Sequence, residues 1–226
     1  MMNNILKSWK PFEIIWLLSF SLLGVGIAIL NKDNWLNFLV LVSGILCVVL
    51  AAKGSIWNYI IGTVNTIAYA YVAYMNGLFG ELGLYVLFFL PMNIVGYFMW
   101  KNHTTNDIVE MKTLNIKSVL LVFSSTVIGC FILGYFLSTI KNQNSPYLDG
   151  MSTVISIVAT ILMIFRYKEQ WLLYIILNIV TVIIWIIRTT NGSESGIMMI
   201  AMWSAFLINA VYGYYNWNKG SKELKQ

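Results

Sequence analysis

Four asparagines stand in the middle of long apolar stretches of this 226-residue chain: Asn65, Asn93, Asn178 and Asn209. An amide side chain offers two donors and two acceptor lone pairs, which suits it to orienting a carboxamide or a sugar hydroxyl. The same groups also serve as glue between lipid-embedded helices, where such a bond contributes ~0.6–2 kcal/mol. Rings lie at comparable depth: Tyr69, Phe88, Phe89, Tyr174, Trp185, Trp203 and Tyr212. Packing against lipid or neighbouring helices accounts for most of them. A ring pair beside amides also suits a flat heteroaromatic ligand, and it holds a cationic ring by cation–π attraction with no anionic partner. Tyr69, Trp185, Trp203 and Tyr212 are the candidate ring contacts, and the four asparagines are the candidate polar readers.

Charge is scarce at the same depth. Glu13, Glu81, Asp149 and Arg188 fall at the ends of apolar stretches, and the single histidine, His103, lies in a connection. A proton-coupled carrier ordinarily needs a carboxylate or histidine inside the span to bind the proton. Sodium coupling through carbonyls and hydroxyls stays open, and passive movement is the simplest reading. There is no serine–histidine pair, no metal-spaced Cys/His cluster and no phosphate-cradling loop, so no catalytic residue, metal or cofactor is expected and the chain does not read as an enzyme. Cys47 and Cys130, both inside apolar stretches, read as small packing residues rather than a disulfide.

The elements that must position these residues are membrane helices. The chain is 59% hydrophobic and 10% charged, with a mean hydropathy of +0.75; soluble domains carry about 25% charged residues. A helix of ~20 apolar residues crosses the hydrocarbon core. Such runs occur at 12–30, 35–52, 57–75, 81–100, 118–140, 149–165, 171–188 and 196–217. The first is too long for a cleavable signal peptide and lacks a small-residue cleavage site. With eight spans, one side of the membrane receives Lys7, Lys10, Lys53, Lys101, Lys112, Lys117, Arg166, Lys168, Lys219, Lys222 and Lys225, and the other receives Lys32, Lys141 and Arg188. Eleven against three predicts cytoplasmic N- and C-termini in the cell membrane. The net charge of +5 follows this sidedness and implies no nucleic-acid partner.

The chain also repeats itself. Gly96-Tyr97-Phe98-Met99-Trp100 closes one span and Gly213-Tyr214-Tyr215-Asn216-Trp217 closes another, each preceded by an asparagine. Trp57 with Asn65 in the first half is matched to Trp171 with Asn178 in the second. Trp57, Trp100, Trp171 and Trp217 suit an interfacial aromatic belt. The expected fold is all-α and integral to the membrane, with two parallel three-helix bundles flanking a linker helix and one leading helix outside the scheme. The boundaries are 1–34 for the tail and leading helix, 35–116 for the first repeat and its loop, and 117–148 for the linker. The second repeat is 149–217, and 218–226 is a basic tail. Substrate would sit in an uncharged cavity shared by the repeats. Pro91 should kink its helix and is a candidate hinge. Gly77, Gly80 and Gly83 mark an external turn, as does Asn191-Gly192-Ser193.

Leu90-Pro91-Met92-Asn93-Ile94-Val95-Gly96-Tyr97-Phe98-Met99-Trp100 resembles the PnuC family of vitamin transporters. So do Trp171 through Asn178, Met202-Trp203, and Leu207-Ile208-Asn209-Ala210-Val211-Tyr212-Gly213. Where many members carry glutamine after Pro-Met, this chain has Asn93, one methylene shorter. The resemblance implies the 3+1+3 plan of sugar-carrying SWEET proteins, a homotrimer, and facilitated uptake of nicotinamide riboside trapped by intracellular phosphorylation for NAD biosynthesis. The riboside's cationic ring, carboxamide and ribose match rings and amides. A related vitamin or nucleoside such as thiamine is the alternative substrate, and a substrate-binding receptor subunit is the alternative function.

Overall fold

A computed structural model describes residues 9–31, 35–75, 79–105, 107–140, 146–190 and 196–223. Lys7, Lys32, Lys141, Lys225, Gly77 and the Asn191-Gly192-Ser193 stretch lie outside the described residues, as do the side chains of Glu81 and Arg188. Each apolar run forms a helix: α1 (Pro11–Asn31), α2 (Trp35–Lys53) and α3 (Trp57–Met75) come first. The fourth run is α4 (Phe79–Leu84), a π turn (Tyr85–Phe89) and α5 (Leu90–Lys101) in unbroken succession. A two-stranded antiparallel hairpin follows, β1 (Thr104–Thr105) with β2 (Ile108–Val109). Then come α6 (Ile116–Ser138), α7 (Pro146–Ile164), α8 (Gln170–Thr190) and α9 (Gly196–Glu223).

Among the described residues, four segments are both long and apolar enough to cross a bilayer: Leu82–Lys101, Ile116–Ser138, Pro146–Ile164 and Gln170–Ile187. Pro11–Gly26 and Phe38–Lys53 are shorter apolar helices. Helix α3 is less apolar because Asn58, Thr63, Asn65 and Thr66 lie along it. Large apolar side chains of α6, among them Leu120, Leu121, Phe131, Ile132 and Phe136, are exposed. Such a surface suits acyl chains as its solvent, not water.

The chain forms two compact units, residues 1–102 and 103–226. In the first, α1 packs on α2, α2 on α3, and α3 on α4, the π turn and α5; Val49, Ala52, Tyr59 and Trp100 are almost wholly buried there. In the second, α6 packs on α7, α7 on α8 and α8 on α9, around Ile155, Ala159, Leu162, Leu173 and Leu177. The fifth span, expected as a linker, lies along α7 at backbone distance. An added Cβ at Gly150 would stand 2.7 Å from the Gly134 backbone nitrogen. The loop after α5, which the sequence grouped with the first repeat, bonds to the second unit through Lys112 N–H to Arg166 O at 2.8 Å and Lys168 N–H to Lys112 O at 2.9 Å.

Both units make the same turn between consecutive helices. Ser55 N–H bonds Leu50 O and Gly54 N–H bonds Ala51 O; Tyr167 N–H bonds Leu162 O and Arg166 N–H bonds Met163 O, all at 2.9 Å. Each is a Schellman cap, which needs a left-handed residue after the helix. Gly54 (φ 80°) supplies it at no steric cost, whereas Arg166 (φ 68°) holds the same conformation against its Cβ.

Candidate functional site

In the first unit the polar candidates tie helices together. Asn65 on α3 donates from Nδ2 to Val40 O at 2.7 Å and to Ser43 Oγ at 3.0 Å, both on α2. Both amide hydrogens are thereby used on protein. Asn65→Leu is expected to lower the melting temperature of the detergent-purified protein while leaving ligand affinity within about twofold, since only a stitch worth ~0.6–2 kcal/mol is lost. Paired thermal-shift and binding measurements check this. Asn93 on α5 donates to Thr66 Oγ1 on α3 at 3.0 Å. Its carbonyl stands over Gly62, where a Cβ would lie 3.3 Å from Oδ1.

The helix ahead of Asn93 is built around Pro91. Proline has no N–H and its ring clashes with the carbonyl four residues back. The chain absorbs this in the π turn: Leu90 N–H bonds Tyr85 O, five residues earlier. The expected kink thus takes the form of a widened turn directly before Pro91, a feature found often at functional sites. That turn presents Tyr85 to Tyr69 of α3, stacked with centroids 4.3 Å apart and planes at 28°, and Phe89 meets Tyr85 edge-on at 5.1 Å. Tyr85 was not among the sequence candidates, because the added rotation of a π turn leaves no mark in residue type.

In the second unit the candidate asparagines are more deeply buried than in the first. Asn178 of α8 is 5% exposed and Asn209 of α9 is 2% exposed. Asn178, the buried Thr181 and Trp185 follow i, i+3, i+7 spacing and share one face of α8. Along α9, Trp203, Phe206, Asn209 and Tyr212 recur every three residues. Trp203 meets Phe206 edge-on at 5.6 Å. Its Nε1 is buried with no hydrogen-bond partner among the described residues. A buried indole donor of this kind is costly unless something accepts from it.

The structure corrects the expected internal match. The ring beneath Gly213 is Trp171, with a Cβ at Gly213 only 2.6 Å from it; beneath Gly96 the ring is Tyr59, not Trp57. Trp217 meets Trp171 edge-on at 6.2 Å as Trp100 meets Tyr59 at 4.9 Å, whereas Trp57 is 42% exposed. Tyr59 follows Gly54, and Trp171 follows Arg166, by the same number of residues. In that register Asn178 is the counterpart of Thr66, and Asn65 that of Leu177. Counting back from the two glycines, Asn93 corresponds to Ala210 and Asn209 to Met92. The first unit therefore closes its polar pair on itself, Thr66 with Asn93. At the matching positions of the second unit α8 carries Asn178 and α9 carries Ala210. Tryptophan-to-tryptophan matching misled because tyrosine fills the same role under the glycine.

Comparison with known proteins places this architecture. The family described as "Nicotinamide mononucleotide transporter" matches residues 34–219. A nicotinamide riboside transporter PnuC of Neisseria mucosa is 38% identical over 96% of this chain and 84% of that protein. One from Haemophilus influenzae is 38% identical over 96% of this chain and 94% of its own. A crystal structure of the vitamin B3 transporter PnuC superposes with a TM-score of 0.80 at 38% identity, covering 95% of this chain and 94% of that one. With a family match over most of its length and relatives aligned almost end to end, the chain belongs to the PnuC family of membrane transporters.

Proposed function

We propose that this chain carries nicotinamide riboside by facilitated diffusion, with phosphorylation inside the cell trapping the substrate. The observation that carries this reading is the neutral polar strip of the second unit: Asn178, Asn209 and the Trp203 indole N–H, all buried, with no carboxylate among them. A permanently cationic pyridinium needs rings, and its carboxamide and ribose need amides. The names of the relatives agree. A mononucleotide would bring a phosphate, which calls for Arg or Lys at depth, yet among the described residues every Arg and Lys lies at a helix end or in a connection. The scarcity of carboxylates and histidine at depth among the described residues supports uniport over proton coupling.

Several finer features belong to this proposal. The units carry two copies of one three-helix design within 35–116 and 149–217, the termini are cytoplasmic, and the protein works in the cell membrane as a homotrimer. Trp185, Trp203 and Tyr212 of the second unit contact the ring, and the π turn with Pro91 is the hinge. Reconstitution into liposomes tests the proposal. Labelled riboside should equilibrate without accumulating, at a rate unchanged by sodium or proton gradients. Gradient-driven accumulation would refute uniport, binding of thiamine but not riboside would reassign the substrate, and binding without uptake would favour a receptor subunit.

A further inference from the structure

The two Schellman turns are each held by an acidic residue from the segment that precedes the unit's α–α pair. In the first unit that residue is Glu13, expected at a tolerant helix end but 1% exposed in the structure. Pro11 opens α1, and Glu13 Oε2 accepts from Lys10 N–H at 2.9 Å, the reach-back half of a capping box. Lys53, at the end of α2, approaches the same carboxylate oxygen at 3.9 Å with both side chains buried, and its ammonium lies 4.6 Å from the centroid of the Trp9 ring. In the second unit Arg166 Nη1 donates to Glu110 Oε2 at 3.2 Å, with the arginine side chain 3% exposed. Leu114 N–H donates to Glu169 Oε2 at 3.2 Å and ties the same loop to the start of α8.

The helices that follow these acids pack alike. A Cβ at Gly24 of α1 would run into Leu41 of α2, as one at Gly134 of α6 would come within 2.5 Å of the Tyr147 ring on α7. We infer that α1 with Glu13 is to the first unit what α6 and its preceding loop with Glu110 are to the second: a brace that locks the basic residue of the α–α turn. The leading helix, which the sequence set outside the repeat, is thus a working part of the first unit, and Glu13 is a positioning residue. The locked turn sets where α3 starts, because Asn58 Nδ2 bonds Ser55 O at 2.6 Å and Cys47 Sγ meets Asn58 O at 3.3 Å. Register then carries along α3 to Asn65, Thr66 and Tyr69.

A carboxylate with almost no solvent contact is tolerated only when paired, and removing one partner strands the other charge. In the full-length chain, Glu13→Ala and Lys53→Met should each lower the melting temperature by about 5 °C or more and remove most riboside uptake per folded molecule. The double variant Glu13→Gln with Lys53→Met should be milder than either single change, since no unpaired charge stays buried. The exchange of Glu13→Lys with Lys53→Glu should recover at least half of both losses, a rescue that simple loss of packing would not show. Additive losses in the double variant together with no recovery in the exchange would overturn the brace, as would wild-type melting in both single variants. The melting arm reads the brace whatever the substrate is, so its failure and failure of the riboside reading are distinguishable.

Discussion

Gly150→Val is expected to abolish accumulation of folded protein. A Cβ at this position of α7 would stand 2.7 Å from Gly134 N, 2.9 Å from Gly134 Cα and 3.2 Å from Leu133 C. All three atoms are backbone, so no rotamer change relieves the clash and α6 must leave α7. Between lipid-embedded helices, close packing of small residues replaces the hydrophobic effect as the main attraction. Prising this pair apart should therefore cost about 3 kcal/mol or more. Fluorescence size-exclusion profiles and thermal melts provide the measurement. Gly26→Ala is the control, because among the described residues nothing packed against the helix lies within 4 Å of a Cβ there, and it should behave as wild type. A monodisperse, normally melting Gly150→Val protein would show that α6 and α7 do not make this approach.

Asn178→Leu has the largest expected effect on recognition. The side chain is 5% exposed on α8, and its counterpart in the first unit is Thr66, which bonds Asn93. In the second unit the position matching Asn93 is Ala210, so the local amide–hydroxyl closure is missing. If Asn178 reads the substrate's carboxamide or ribose, its loss leaves a ligand group unsatisfied at a cost of about 1–3 kcal/mol, or roughly 5- to 150-fold in dissociation constant. Calorimetric or scintillation binding with riboside reads the change directly. The melting temperature should fall less than in Asn65→Leu, whose amide hydrogens are both spent on α2. Unchanged affinity with a large thermal loss would assign Asn178 to helix glue and move recognition elsewhere.

How much of this was legible beforehand depended on the range of the interaction. Each of the eight apolar runs appears as a helix, because hydrocarbon forces every backbone donor and acceptor to pair within its own segment. The closing phrases at Gly96 and Gly213 were legible because a glycine beneath an aromatic ring leaves a mark in the sequence itself. The partner ring was harder to read. Trp171 has Tyr59 as its counterpart, and only the shared turn and the ring-on-glycine contact reveal it. The π turn was hidden because Pro91 announces a disturbance without saying how the preceding residues absorb it.

Residue types and hydropathy alone determined the solvent of this protein, its helical content, the scarcity of charge at depth and the set of amides and rings available to a substrate. Tertiary structure decided which amides are already spent: Asn65 on α2, Asn93 on Thr66. It also turned Glu13 from an end charge into a buried partner of Lys53 and attached the loop carrying Glu110 to Arg166. The physical reason is one of reach. Burial in lipid acts residue by residue and leaves its mark in composition, whereas a hydrogen bond or ion pair exists only where packing brings a donor to an acceptor from another helix.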